Sequence, residues 1–319
     1  MNRITIAGFC LIVLLSGLSA TARSEPPTIL IATWRGCEDA CRGVQDRFRE
    51  RGIEANFIIS DAARDKARLP QIATQARELG VDLVVSWGTS VTLGLLGKLA
   101  AVDPTIHITD IPVVFMIVAD PVGAGLITHA EVSQRPNVTG TRNRIPEIVQ
   151  IRAMRAYRPL QKLGLIYNVN EVNAVLKAEE MRNLATQEAF ELVEFRIETA
   201  TPDQEPAPEQ IDEQITIALG AGLDFLYVAS SSFLIANRDR LTATARDAGI
   251  ALASAYEAMV LDSHELLSIA ARYYNVGKLA GFQAEQILVH GADPATMPIR
   301  SLNRYSYIIN METGIPLVS

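Results

Sequence analysis

The chain has 319 residues, of which 49% are hydrophobic and 20% charged, with 29 Lys and Arg against 36 Asp and Glu. This apolar fraction excludes disorder as the main state, and the length suits about two domains. A net charge of −7 with no basic cluster, and only 6% aromatic residues, argue against nucleic acid as the main partner. Neutralising phosphates needs concentrated positive charge, and stacking bases needs aromatic platforms.

Arg3 is the only charge before Arg23, and the apolar run Ile4–Leu15 lies between them. The small residues Ala20-Thr21-Ala22 follow. A basic flank, a short apolar centre and a small-residue cut site read as a secretory signal peptide over residues 1–22, too short to anchor comfortably. Cys10 lies inside the apolar run, too early to mark a lipoprotein. Removing residues 1–22, which hold one basic and no acidic residue, takes the net charge from −7 to −8. No second apolar run of ~18 residues follows, so the mature protein is expected to be soluble. It keeps two cysteines, Cys37 and Cys41, in an oxidising compartment. Their i,i+4 spacing is awkward within one regular helix turn but feasible across an irregular helix start. A disulfide and two partly buried thiols both remain open. The four His, at 107, 129, 264 and 290, are scattered, so no metal site is expected.

Strands and helices then alternate. Thr28–Thr33 reads as a strand, Glu38–Glu50 as a helix closed by Gly52, and Glu54–Ile59 as a strand. Leu69–Leu79 is helical, Asp82–Ser86 a strand, Thr89–Lys98 helical and Pro112–Val118 a strand, with a short strand at Asn137–Gly140. The pattern restarts with a helix at Glu147–Tyr157, a strand at Lys162–Tyr167, a helix at Asn173–Phe190 and a strand at Leu192–Ile197. Thr201–Pro208 is too rich in proline for either element. Helices at Ile211–Leu219, Arg238–Ala248 and Val276–His290 alternate with strands at Leu223–Val228, Ile250–Ala253, Leu266–Ala270 and Tyr305–Ile309. Solid Val/Ile/Leu strands separated by helices mean parallel sheets covered on both faces, here in two consecutive α/β halves.

Ligands of such sheets collect at the carboxyl ends of the strands. Gly88-Thr89-Ser90 follows a strand and opens a helix. Its glycine permits close approach, and the helix start offers free N–H groups and a positive dipole end for a carboxylate or phosphate. The same residues would serve as a plain N-cap. Asp120 follows an apolar strand and precedes Pro121; it suits an ammonium or hydroxyl, or an ordinary Asp-Pro turn. Trp34 is placed to stack on a flat ligand or simply to pack. Ser230-Ser231-Ser232 and Tyr256-Glu257 end strands of the second half, and Arg272-Tyr273-Tyr274 marks a candidate domain crossing. There is no Gly-x-Ser-x-Gly elbow, P-loop or Gly-x-Gly-x-x-Gly turn, and Ser263-His264-Glu265-Leu266 lacks the second His of a zinc protease. Neither a catalytic constellation nor a cofactor is expected.

At Ile111–Ile127, with its run Asp120-Pro121-x-Gly123-x-Gly125-Leu126, and at Asn137-Val138-Thr139-Gly140, the chain resembles the ABC-transporter substrate-binding proteins that include tryptophan and other aromatic amino-acid binders. Gly277–Ala280, Ile287–Gly291, Met297-Pro298, Ile308–Asn310 and Ile315-Pro316 are similar too. The resemblance spans the mature chain and implies a type I periplasmic-binding-protein fold. Two Rossmann-like lobes with parallel sheets, 23–143 plus 272–298 and 144–271 plus 299–319, would be joined by three crossing hinge segments around a ligand cleft. It departs from the family at Asp262–Glu265, where members usually carry Gly-Ala-Leu, and at Ser230–Ser232, where many place an acidic residue. The C-terminus also looks shortened between Glu312 and Gly314.

The reading that follows is a periplasmic protein that captures a small molecule, an amino acid or small carboxylate, for a membrane permease. Thr89 and Ser90, behind Gly88, would hold the carboxylate and Asp120 the ammonium. Trp34, Tyr256 and Ser231 would complete the site. A ligand-sensing partner of a membrane receptor or kinase, and a periplasmic enzyme using a cleft carboxylate, are the rival readings. N-terminal sequencing of exported protein should start near Arg23; exported chains that still begin at Met1 would overturn the signal-peptide reading.

Overall fold

The computed structural model describes residues 25–199 and 204–317. The expected signal peptide and the first residues of the Pro-rich loop at 201 lie outside these. In the first lobe the chain runs through β1 (Thr28–Thr33), α1 (Asp39–Glu50), β2 (Asn56–Asp61), α2 (Leu69–Glu78), β3 (Leu83–Trp87), α3 (Thr89–Leu96), β4 (Val113–Val118) and β5 (Val138–Arg142). The second lobe holds α4 (Glu147–Tyr157), β6 (Lys162–Asn168), α5 (Val172–Gln187), β7 (Glu191–Ile197), α6 (Glu209–Leu219) and β8 (Phe225–Val228). It continues through α7 (Ser232–Ala236), α8 (Arg238–Asp247), β9 (Leu252–Ser254), α9 (Glu257–Leu261) and β10 (Leu267–Ala270). The chain then returns to the first lobe for α10 (Tyr273–His290) and β11 (Arg300–Ser301), and ends in the second with β12 (Ser306–Ile309) and α11 (Met311–Leu317).

Each lobe is a six-stranded sheet, ordered β11-β5-β4-β3-β1-β2 and β12-β10-β9-β8-β6-β7. The first is parallel throughout, and in the second only β12 runs antiparallel, against β10. Side chains alternate between faces, so each sheet carries a core on both sides. Leu30 and Ala32 of β1 enter one cluster of the first lobe while Ile29 and Ile31 enter the other.

Several boundaries differ from the sequence reading. β2 sits two residues later than expected, because Asn56 pairs with Thr28 and Asp61 with Thr33 at the half-exposed sheet edge. α10 starts a turn earlier, at Tyr273. The short helices α7 and α9 were not expected; five residues carry no helical period. The two-residue strand β11 pairs with β5 in the first sheet, through Arg300↔Thr141 and Ser301↔Arg142. The third crossing therefore falls after Ser301, not at the expected 298/299 boundary; an exposed strand this short leaves no apolar run to read. Cys37 and Cys41 are joined by a disulfide with Cα atoms 5.2 Å apart, feasible because Cys37 lies ahead of α1 and Cys41 in its first turn.

Two contacts lend themselves to test. α1 and α10 cross so closely that a Cβ on Gly43 would lie 2.2 Å from the Tyr274 carbonyl oxygen, and one on Gly277 would lie 1.9 Å from that of Ala40. Gly277→Ala should therefore separate the helices, costing roughly 1–3 kcal/mol and lowering the melting temperature by about 3–10 °C. An unchanged melt would mean that the crossing is not tight. In the second lobe, Glu265 is fully buried with only the Ser254 hydroxyl donating to it, at 2.8 Å. Burial pushes its carboxyl well above the ordinary value of 4.5, and the Ser254 bond offsets part of that. A raised carboxyl binds a proton in the fold that the unfolded chain releases. Its contribution is complete below the ordinary value and is lost as pH rises through the folded one. Denaturant melts of Glu265→Gln from acidic to neutral pH should lose less stability than the parent's; parallel profiles would show Glu265 ionising normally.

Candidate functional site

In both sheets the strand order reverses beside the first strand of the lobe, between β1 and β3 and between β6 and β8. Loops leaving the strands there diverge to opposite faces and open a crevice. The two crevices face each other across one cavity, partly open to solvent, in the kind of place where small-molecule sites form. The first lobe lines it with Trp34 and Arg35 after β1, Trp87 at the end of β3, and Gly88, Thr89 and Ser90. The second lobe supplies Asn173 from α5, Ser230 and Ser232 after β8, Ile235 of α7 and Tyr256 after β9. Asn143 and Tyr273 enter from the first and second crossings.

Helices begin at both crevices, and their amino termini are treated differently. The first N–H groups of any helix have no partner inside it. In α3 the preceding residue is Gly88 at φ +84°, a backbone that only glycine adopts readily, and no side chain caps the helix. Below the turn the Thr92 hydroxyl donates to the Gly88 carbonyl and pairs with the Ser86 hydroxyl, fixing the turn without covering it. At α7 the equivalent groups are taken. Glu171 accepts from the Ser231 hydroxyl at 2.8 Å and from the N–H groups of Ser232 at 2.6 Å and Phe233 at 3.0 Å, while Ser231 itself accepts from Leu234 N–H. Burial raises the Glu171 carboxyl, opposed by these bonds. The second lobe thus closes its helix start with its own carboxyl group, whereas the first leaves its helix start open to the cavity.

The walls are aromatic. The Arg35 guanidinium lies 4.9 Å from the Trp87 ring centre, held by its Nε donating to Glu38 at 2.6 Å, and its Nη1 reaches the Ser232 carbonyl of the other lobe at 3.4 Å. Tyr273 packs edge-on against Trp87 and Tyr256, with ring centres 6.5 and 6.2 Å apart. The Tyr256 hydroxyl accepts from Ser231 N–H at 2.8 Å, and burial raises its phenol above the ordinary value. Two lining residues keep a buried polar atom without a partner, the Trp87 indole Nε1 and Asn143 Oδ1. A buried polar atom left unpaired is costly. Among the described residues no group of His, Cys, Asp or Glu could hold a metal ion.

Of the residues singled out in the sequence, Trp34, Gly88, Thr89, Ser90 and Tyr256 line the cavity. Asp120 and Ser231 do not. Asp120 accepts from Gly123 N–H at 2.9 Å and lies 3.7 Å from Arg144, in a side recess with Lys177 and Glu180. It closes its own turn, as an Asp before proline commonly does. The Ser231 side chain is fully buried as the α7 cap, and its neighbours Ser230 and Ser232 face the cavity instead. Arg35 and Trp87 went unselected although each adjoins a selected residue at a strand end. Asn143 directly follows β5, which ends two residues later than read from the sequence, Tyr273 lies in the stretch singled out as a crossing though not as a site residue, and Asn173, at the start of α5, carries no strand-end signal.

The family model described as ABC transporter substrate binding protein matches residues 31–314. A tyrosine-binding protein of Clostridioides difficile (strain R20291) is 27% identical over 273 residues, 85% of this chain and 73% of that protein. Among solved structures, an ABC domain from Streptococcus pneumonia in complex with L-Trp superposes with a TM-score of 0.77 at 21% identity, covering 91% of this chain and 94% of that one. A ligand-free, open substrate binding protein with adhesive properties from Clostridium difficile gives 0.69 at 20% identity, with coverages of 92% and 95%. The fold is that of the type I periplasmic binding proteins, and the chain belongs to the ABC transporter substrate-binding protein family.

Proposed function

We propose that the protein is exported, captures a small carboxylate, an amino acid or a close analogue, between its lobes, and presents it to an ABC permease. The observation that carries this reading is the uncapped start of α3, opening onto a cavity lined by both lobes. A helix start stabilises an anion by ~0.3–2 kcal/mol through its dipole, before the Thr89 and Ser90 hydroxyls are counted. The aromatic faces of Trp34, Trp87, Tyr256 and Tyr273 suit a flat apolar side group. The names of the similar proteins, a tyrosine binder and an L-Trp complex, support the same ligand class. None of the described helices is long and apolar enough to cross a membrane. Because both lobes contribute contacts, ligand would favour the closed arrangement over an open one. The ligand should be recovered chemically unchanged, as binding without turnover requires.

Calorimetry with aromatic carboxylates, both with and without an α-amino group, tests the site. Thr89→Ala should weaken the tightest binder about tenfold or more, by loss of a hydrogen bond to a charged group. Asp120→Ala, outside the cavity, should stay within about threefold. Parent-like affinity in Thr89→Ala, or a collapse in Asp120→Ala, would move the carboxylate away from α3.

A further inference from the structure

We infer that the cleft selects an aromatic carboxylate whose α-carbon bears a hydroxyl or oxo group in place of an ammonium. This rests on the carboxylate reading above and narrows it. The cavity's positive features both come from the first lobe: the open start of α3 and the Arg35 guanidinium, whose Nε donates to Glu38. In an α-amino acid the ammonium is one carbon from the carboxylate, so a carboxylate seated at Thr89 and Ser90 would bring its ammonium into the same positive region. A desolvated cation there is costly unless an anion neutralises it or several acceptors bond it.

The nearby acids are engaged elsewhere. Glu171 is committed to Ser231, Ser232 and Phe233 and lines an adjoining compartment. Asp120 is held by Gly123 and Arg144, and Glu205 lies 3.7 Å from Arg64. Glu38 and Glu257 face a separate compartment beyond Arg35, paired with Arg35 and Arg272. Among the described residues, none of the cavity's lining side chains is a carboxylate.

What the cavity offers is neutral. Asn143 Oδ1 is buried without a partner, and Ser230 and Ser232 stand across the cleft. A carboxamide accepts from a hydroxyl in one orientation and donates to a carbonyl after a half-turn, so it serves a 2-hydroxy and a 2-oxo acid equally. It cannot neutralise an ammonium.

The test is calorimetric titration of the parent protein with 3-phenyllactate and 4-hydroxyphenylpyruvate beside L-phenylalanine, L-tyrosine and L-tryptophan. The oxygen-bearing acids should bind at least about tenfold tighter than the amino acids. Asn143→Asp, which places a carboxylate at the lining position, should reverse the order, weakening the acids and strengthening the amino acids by similar factors. Melting curves establish that this variant folds, and if it does not, the order in the parent protein decides alone. Amino acids binding as tightly as the oxygen-bearing acids, or tighter, would overturn the inference while leaving the carboxylate site intact. Failure of both series to bind would overturn the carboxylate site and this inference with it.

Discussion

A helix that starts at the carboxyl end of a parallel strand leaves its first N–H groups without partners, and these must be satisfied by something outside the helix. Two such starts meet across this cleft, at α3 and α7. The second lobe closes its own with the Ser231 cap and the carboxylate of Glu171, brought in from the β6–α5 connection. The first lobe has only Gly88 at the equivalent place, and glycine has no side chain to fold back. The site's polarity follows from that difference: an acceptor from outside is wanted on one lobe and already present on the other.

Much of this was legible because it depends on short-range rules. The strand Thr28–Thr33 and the helix Glu147–Tyr157 have the bounds read from sequence, since continuous apolar runs and clear helical periods declare themselves. The place of the Gly88-Thr89-Ser90 turn on the cavity was legible because loops leaving parallel strands line the crevice at the sheet's carboxyl end. The failures share a cause. Asp120 and Ser231 also stand at strand ends, but their local hydrogen bonds to Gly123 and Leu234 consume them, and a sequence does not reveal which way such a side chain turns. Asn143 and Tyr273 reach the cavity through chain crossings, where position depends on how two lobes are placed rather than on any period.

The apolar floor of the cavity shows the same dependence on tertiary detail. Along β4 the side chains alternate, Val113 and Phe115 to one cluster and Val114 and Met116 to the other, until Ile117 joins the side of Met116. The pairing with β5 shifts register between Phe115 and Val118, and Ile117 takes φ +56°. A β-branched residue in that region is strained, and a bulge commonly re-aims a side chain at a sheet's functional end. Here it turns Ile117 into the cavity lining, beside Trp87. The strain is held by the buried strands on either side, which keep β4 in register from Val113 to Phe115.

The polar links between lobes are weak, and stand beside an apolar contact in which Ala153 of α4 and Ile269 of β10 join a core cluster of the first lobe. Arg35 reaches the Ser232 carbonyl only at 3.4 Å, Arg64 lies 3.7 Å from Glu205, and Asp120 lies 3.7 Å from Arg144 on the first crossing. Partly exposed ion pairs of this kind contribute about 0–1 kcal/mol each. The tight features lie within lobes: the α1–α10 glycine crossing in the first, and the buried Lys177–Glu147 pair in the second. Two bodies joined by crossing segments can exchange open and closed arrangements by hinge motion. A ligand can shift such a balance by no more than its differential affinity for the two. A molecule bonded to Thr89 on one side and to Asn173, Ser230 or Tyr256 on the other loses half its contacts on opening. If a carboxylate sits at the helix start, which any carboxylate would satisfy, discrimination among ligands would fall to other lining groups such as the Asn143 amide and the Arg35 guanidinium.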